Sequence, residues 1–280
     1  MNFPRSHCAV RCLVPSAGRS EADPVQLSYF LGGILTTLSR RAFLATTAAV
    51  AATVAIAPAA LAADPVPGNL WPLDETGGDQ AADVVAGRTA VLHDGAAFVP
   101  GRAGNALQFD GGYALTDAVD VRTDQSFTVT AWVNLATKDF GLFTAVGVDG
   151  DRTSKFQLGH VVDDDNNQLG AWFFQAAESD SDLALVTKMA VSTLPSETGK
   201  WTHLVGVYDP GARRLWFYVN GTRVGEGVLN TPWQASGGLR IGGGKAAGEA
   251  AQAWPGSVDD VRLYQGMLDK DQVSALYKSY

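Results

Sequence analysis

Three kinds of side chain in this sequence carry enough chemistry to suggest a function, namely clustered carboxylates, dispersed histidines and seven tryptophans. Glu178-Ser179-Asp180-Ser181-Asp182 is the densest alternating run of acids. Retaining glycoside hydrolysis needs two carboxyl groups about 5 Å apart, but this run lies in a polar stretch outside any strong strand pattern and reads as a solvated loop. His93, His160 and His203 show neither His-x-His nor His-Glu-x-x-His spacing, which argues against zinc. His203 follows Trp201 inside an apolar segment and reads as a core residue. No Gly-x-Ser-x-Gly elbow is present. The Gly-rich stretch from 237 to 245 has Leu239 where a phosphate loop requires its first Gly, and Ala246 after Gly244-Lys245. No catalytic residue is assigned.

Calcium is the better ionic expectation, because Ca²⁺ takes six to eight oxygens and acidic loops supply them. Asp163-Asp164-Asp165-Asn166-Asn167 resembles the start of a helix-loop-helix calcium loop, yet Gln168 stands at its sixth position and Phe174 at its twelfth. Its oxygens remain available to a rim site. Tryptophan offers a different chemistry, since an exposed indole face stacks on a sugar ring without needing charge. Trp233 and Trp254 sit in Pro- and Gly-flanked loops, and Trp172 lies on a strand face, so these three are the expected ligand-binding residues. Trp132, Trp201 and Trp216 lie in alternating strands and are expected to pack.

The elements that must hold these residues are strands. From Ala106 onward the pattern has period two and is broken every 8 to 12 residues by Gly, Pro, Asn or Asp, as in an antiparallel sandwich or barrel. Phe127, Val129, Ala131, Val133 and Leu135 point one way, with Thr128, Thr130, Trp132 and Asn134 opposite. Residues 168 to 176 repeat the pattern, with Leu169, Ala171 and Phe173 opposite Gly170, Trp172 and Phe174. Two partly apolar faces imply a further layer or a ligand surface. Strands over 201–209, 215–220 and 223–227 are joined by Asp209-Pro210-Gly211 and by Asn220-Gly221, the latter suited to two successive positive φ angles. The hairpin already explains Asn220-Gly221-Thr222, so no glycan is assigned to it. Further strands are expected over 239–242 and 257–264. Asp269 then caps a helix, with Gln272 three residues on and Val273, Leu276 and Tyr277 on one face. Strands never alternate with helices, which excludes a parallel α/β sheet.

The 280 residues carry 21 Lys and Arg against 29 Asp and Glu, a net charge of −8 that is ill suited to nucleic acid. Ser39-Arg40-Arg41-Ala42-Phe43-Leu44, an apolar stretch to Ile56 and Ala60-Leu61-Ala62 follow the order of an export leader of twin-arginine type. Residues 1–62 are therefore expected to be an amino-terminal extension and signal peptide that is removed, with translation starting near Leu35 or Leu38. The remaining 63–280 would be one secreted domain without a membrane span, carrying 16 basic and 27 acidic residues and neither Cys8 nor Cys12.

Six pieces now carry a resemblance: Trp71-Pro72-Leu73-Asp74-Glu75, the run from Gly104 to Gly111, the run from Ser126 to Val133, Trp201-Thr202-His203-Leu204-Val205, the Phe217 to Gly221 hairpin, and the run from Gly256 to Tyr264. In this order they resemble the laminin G-like, concanavalin A-like jelly-roll family of bacterial secreted proteins, over about Leu70 to Tyr280. The resemblance implies an all-β fold, a two-sheet antiparallel jelly-roll sandwich of 12 to 14 strands with one short C-terminal helix. It further implies a Ca²⁺ beside the first and last sheet strands, held by Asp110 and Asp259 with Asp74 as third ligand. It also implies a glycan or polysaccharide partner bound by a monomer. The function expected is a secreted non-catalytic binding module, with carbohydrate as the expected ligand. Two rivals are kept: a divergent polysaccharide hydrolase or lyase, and a structural or adhesion domain that binds protein.

Overall fold

The computed structural model describes residues 66–163, 169–184 and 189–280. Residues 1–62, expected to form an export leader, and Asp164 to Gln168 of the acidic run lie outside the described residues. Two eight-stranded sheets face each other, and both are antiparallel throughout their named pairings. In the first sheet the order is Thr222–Val228, Arg214–Val219, Trp201–Asp209, Phe127–Leu135, Gly256–Gln265, Asn105–Phe109 and Ala96–Pro100, with Asn69–Trp71 pairing to Gly256–Gln265. The second runs Ala190–Pro195, Ala171–Ala176, Ser154–Val162, Gly141–Asp149, Leu239–Ile241, Ala114–Leu115, Ala90–Leu92 and Gln80–Ala81. A separate hairpin pairs Gly244–Ala246 with Glu249–Ala251. Among the described residues, sixteen sheet strands and two hairpin strands exceed the expected 12 to 14 because seven of the eighteen are segments of only two or three residues.

Period-two patterning explains why the sheets stack. Phe127, Val129, Ala131, Val133 and Leu135 are all 0% exposed and meet Phe156, Leu158, Trp172 and Phe174 of the other sheet in one core. Phe127 stacks on Phe156 at 4.9 Å between ring centroids. Burial of such side chains contributes about 1.5–3 kcal/mol each, and it is lost wholesale if a strand slips by one residue.

The second face of the first sheet is covered as its apolar content required. Val205, Val207, Tyr218, Tyr264 and Leu268 pack with Val273 of the C-terminal helix Lys270–Lys278. Asp269 caps that helix, accepting from the backbone N–H groups of Asp271 and Gln272, while the Gln272 side chain accepts from the Asp269 N–H. Tyr277 lies 5.7 Å from Trp132 and 6.1 Å from His203. The Asn220-Gly221 turn takes φ angles of 49° and 75°, as its residue types require.

Candidate functional site

The outer face of the second sheet is unusual in being buried and polar. One cross-strand row places Gln175 beside Gln157, Gln157 opposite Gly147, and Gly147 opposite Arg240. Each of these side chains occupies an outward position of a strand whose alternate residues fill the core, so alternation alone directs them away from it. What hides them from solvent is the Gly244–Ala251 hairpin, which folds back over the sheet. Lys245 N–H donates to Ser154 Oγ at 2.8 Å, Thr144 N–H to the Gln252 carbonyl at 2.9 Å, and Arg152 Nη2 to the Ala247 carbonyl at 2.9 Å. Gly244 permits this approach: a Cβ there would lie 2.5 Å from Gln157 Nε2 and 2.7 Å from Gln252 Oε1.

Between the hairpin, the sheet and the segment from Ala177 to Ala184 lies a cleft of about 190 Å³, with Gln157, Gln175 and Gln252 in its wall. The three amides form a directed chain. Gln175 Nε2 donates to Gln157 Oε1 at 2.5 Å, and Gln157 Nε2 donates both to Thr144 Oγ1 at 3.1 Å and to Gln252 Oε1. Among the described residues, Gln175 Oε1 at one end and Gln252 Nε2 at the other have no protein partner. The cleft thus ends in one free acceptor and one free donor, both neutral. A hydroxyl group donates and accepts, so two neighbouring hydroxyls on one ring complement such ends.

The surrounding charges are structural. Asp182, at the rim, pairs with Arg152 Nε at 2.5 Å. Asp180 accepts from the backbone N–H groups of Asp151, Arg152 and Thr153, and Glu178 from those of Asn230 and Thr231. The acidic run therefore fastens loops. Arg240 donates through Nε and Nη2 to Asp149 at 2.9 and 2.8 Å, with its guanidinium 4.0 Å from the Tyr113 ring centre. Lys155 is the extra residue where the register shifts between Val148/Asp149 and Phe156/Ser154. Its Nζ reaches the Ala177 carbonyl at 3.4 Å and sits 5.0 Å from the Trp233 ring centre, and burial pushes its pKa down to about 7.

The tryptophans expected to meet ligand are placed otherwise. Trp254 is 1% exposed and packs 6.3 Å from Trp172, itself 3% exposed, so neither offers an open face for stacking. Both project toward the core, because each has apolar neighbours from the two sheets. Trp233 is half-buried behind the cleft, its Nε1 donating to the Ala177 carbonyl at 2.9 Å.

The expected calcium ligands do not form a cage. Asp74 Oδ1 accepts from Asn105 N–H at 2.9 Å, and Asp259 Oδ2 accepts from the N–H groups of Arg102 and Ala103 at 2.8 and 3.1 Å. The two carboxylates thereby close the two ends of one loop. Asp110 is exposed on a turn with Gly95, apart from that loop. Among the described residues no group of three or more His, Cys, Asp or Glu is placed to hold a metal ion. Oxygens directed at N–H donors are the wrong surroundings for a cation, and no role is derived through calcium. Burial raises the Asp259 pKa to about 7.

One hydroxyl and imidazole pair invites a catalytic reading: Ser196 Oγ lies 2.7 Å from His160 Nε2. It fails on two counts. Both residues are at most 1% exposed, and His160 Nδ1 has no partner to orient the ring as a base. Sequence reasoning missed Thr144, Gln157, Gln175 and Gln252. The available signal was a Gln in Lys155-Phe156-Gln157-Leu158 and another in Phe174-Gln175, each a polar residue inside a strand with apolar flanks.

The family model described as the concanavalin A-like lectin/glucanases superfamily matches residues 108–274. No curated protein matches the chain in sequence. Among solved structures, domain 4 of AbnA, a GH43 extracellular arabinanase from Geobacillus stearothermophilus in complex with arabinotriose, is 17% identical with a TM-score of 0.56, over 76% of this chain and 99% of that one. The binding domain of Paraclostridial Mosquitocidal Protein 1 is 15% identical with a TM-score of 0.57, over 78% of this chain and 52% of that one. Trypanosoma rangeli sialidase with sialic acid is 20% identical with a TM-score of 0.55, over 78% of this chain, which spans only 34% of the sialidase. Among the described residues no helix is long and apolar enough to cross a membrane. With two antiparallel sheets packed through one core and more than half its length matched, this chain belongs to the concanavalin A-like lectin/glucanase superfamily.

Proposed function

We propose that this chain is an exported, non-catalytic carbohydrate-binding module that takes a neutral sugar in the glutamine cleft. The observation that carries the reading is the amide chain from Gln175 through Gln157 to Gln252, which leaves one acceptor and one donor free in a cleft without an uncompensated charge. Vicinal hydroxyls of a neutral sugar meet both ends, whereas an anionic ligand would find no free cation at the wall. The arabinotriose held by the AbnA domain supports starting with pentose-containing glycans. Hydrolysis by paired carboxylates is disfavoured, since Asp182 is the one carboxylate among the described residues of the cleft wall and it is held by Arg152. Export through the twin-arginine route belongs to the same reading and rests on the leader pattern alone.

Affinity electrophoresis and calorimetry against arabinan, xylan, galactan and their oligosaccharides test the proposal. Retention of wild type by at least one neutral glycan, lost in Gln175→Ala, is the expected result. A folded wild type that binds none of them rejects it.

A further inference from the structure

The glutamine cleft is closed at one end. Its two side walls, the Gly244–Ala251 hairpin and the segment from Ala177 to Ala184, are both fastened to the turn from Gly150 to Thr153. On the hairpin side, Gly248 N–H donates to the Arg152 carbonyl at 2.8 Å, and Lys245 Nζ donates to the Gly150 carbonyl at 2.9 Å. On the opposite side, Asp180 accepts from the backbone N–H groups of Asp151, Arg152 and Thr153 at 2.6, 2.8 and 3.0 Å. Arg152 also joins the walls directly. Its Nε donates to Asp182 Oδ1 at 2.5 Å while its Nη2 donates to the Ala247 carbonyl at 2.9 Å, and Asp182 and Ala247 both line the cleft. A guanidinium suits this bridge because its donors lie in one rigid planar fork. Gly248, at a φ of 83°, makes room for it, since a Cβ there would lie 2.6 Å from Arg152 Nη1.

We infer that the cleft binds the terminal ring of a neutral glycan, not a ring inside the chain, and that Arg152 sets this preference by bridging the walls. The inference rests on the glutamine-cleft reading. An internal ring carries a glycosidic bond on each of two sides and needs two exits from a groove, whereas a terminal ring needs one. The Arg152 bridge and the turn behind it remove one exit. Forcing that end open would break the bonds from three backbone N–H groups to the Asp180 carboxylate, which are charge-assisted and stronger than neutral ones. Size agrees with this. At about 30 Å³ per water, a cleft of about 190 Å³ equals about six waters, room for one small sugar ring and not for two. A terminal ring also keeps hydroxyls that an internal ring gives up to its second linkage, so it retains the adjacent pair that Gln175 Oε1 and Gln252 Nε2 call for.

The test is competition for retention of the whole chain on immobilised arabinan, xylan and galactan, with the same soluble polymer, uncut or shortened by an endo-hydrolase, as competitor. Shortening a polymer about tenfold multiplies its ends about tenfold at constant sugar mass, so the mass that halves retention should fall about tenfold. In Arg152→Ala that gain should shrink by about threefold, within what one exposed charged contact carries. The variant keeps the backbone bonds to Asp180 and Gly248, and the Arg152 side chain is 48% exposed, so the fold is retained. Fragments that compete no better than uncut polymer at equal mass overturn the inference, as does a gain that Arg152→Ala leaves unchanged. In both cases the glutamine-cleft reading stands if retention is still lost in Gln175→Ala. A wild type retained by none of the three glycans rejects that reading, and the inference falls with it.

Discussion

Gln175 and Gln157 face each other across neighbouring strands, and the 2.5 Å bond from Gln175 Nε2 to Gln157 Oε1 orients both amides. Removing the first reaches beyond one contact, since Gln157 also holds Gln252, the residue that follows the covering hairpin. Gln175→Ala should therefore reduce glycan affinity by about tenfold or more while lowering folding stability by only about 1 kcal/mol, the usual net value of a hydrogen bond. Calorimetric titration and urea unfolding of the same sample separate the two effects.

Arg240 and Asp149 form a buried ion pair, with side-chain exposures of 5% and 2%. Truncating one partner leaves the other charge uncompensated, so Asp149→Ala should cost about 3–5 kcal/mol. Replacing both together should cost less than the sum of the single changes. A double-mutant cycle in urea checks this, and additive losses would show that the two charges do not depend on each other.

Acid should destabilise the fold before carboxylate protonation dominates. Burial lowers the pKa of His160 to about 4 and of His203 to about 3, so between pH 6.5 and about 4 the unfolded chain binds protons that the folded chain refuses. Stability is then lost as pH falls through that window. Asp259 opposes this, because its folded pKa is raised to about 7 and its contribution is lost as pH rises from 3.8 toward 7. Two histidines outweigh one carboxylate, which leaves a net fall toward acid. Asp259→Asn should steepen the fall and His203→Phe should flatten it, as read from Tm between pH 4.5 and 7.5.

Calcium should leave Tm unchanged. Asp74 and Asp259 already accept backbone N–H groups of the loop from Gly101 to Asn105, and Asp110 stands apart from them. Thermal unfolding with excess CaCl₂ and with EDTA checks this. A clear upward shift with calcium would mean that the loop reopens around a cation.

How much was legible depended on the range over which the information acts. Alternation in Phe127–Leu135, the Asn220-Gly221 turn and the Asp269 cap are local features, and each formed as its residue types require, because backbone sterics and side-chain direction act within a few residues. The two-sheet sandwich followed from them, since strands with apolar alternate faces have few other ways to hide those faces from water. The site did not follow in this way. Trp172 and Trp254 became core rather than rim because burial is decided by what packs above an indole, and those neighbours come from the opposite sheet. Gln157, Gln175 and Gln252 converge from three separate stretches of chain only through strand register and the return of the Gly244–Ala251 hairpin. Residue order determined the layers and their turns by itself. Which polar groups share a cleft was decided by tertiary packing, because register and loop closure join residues whose spacing along the chain carries no trace of their meeting.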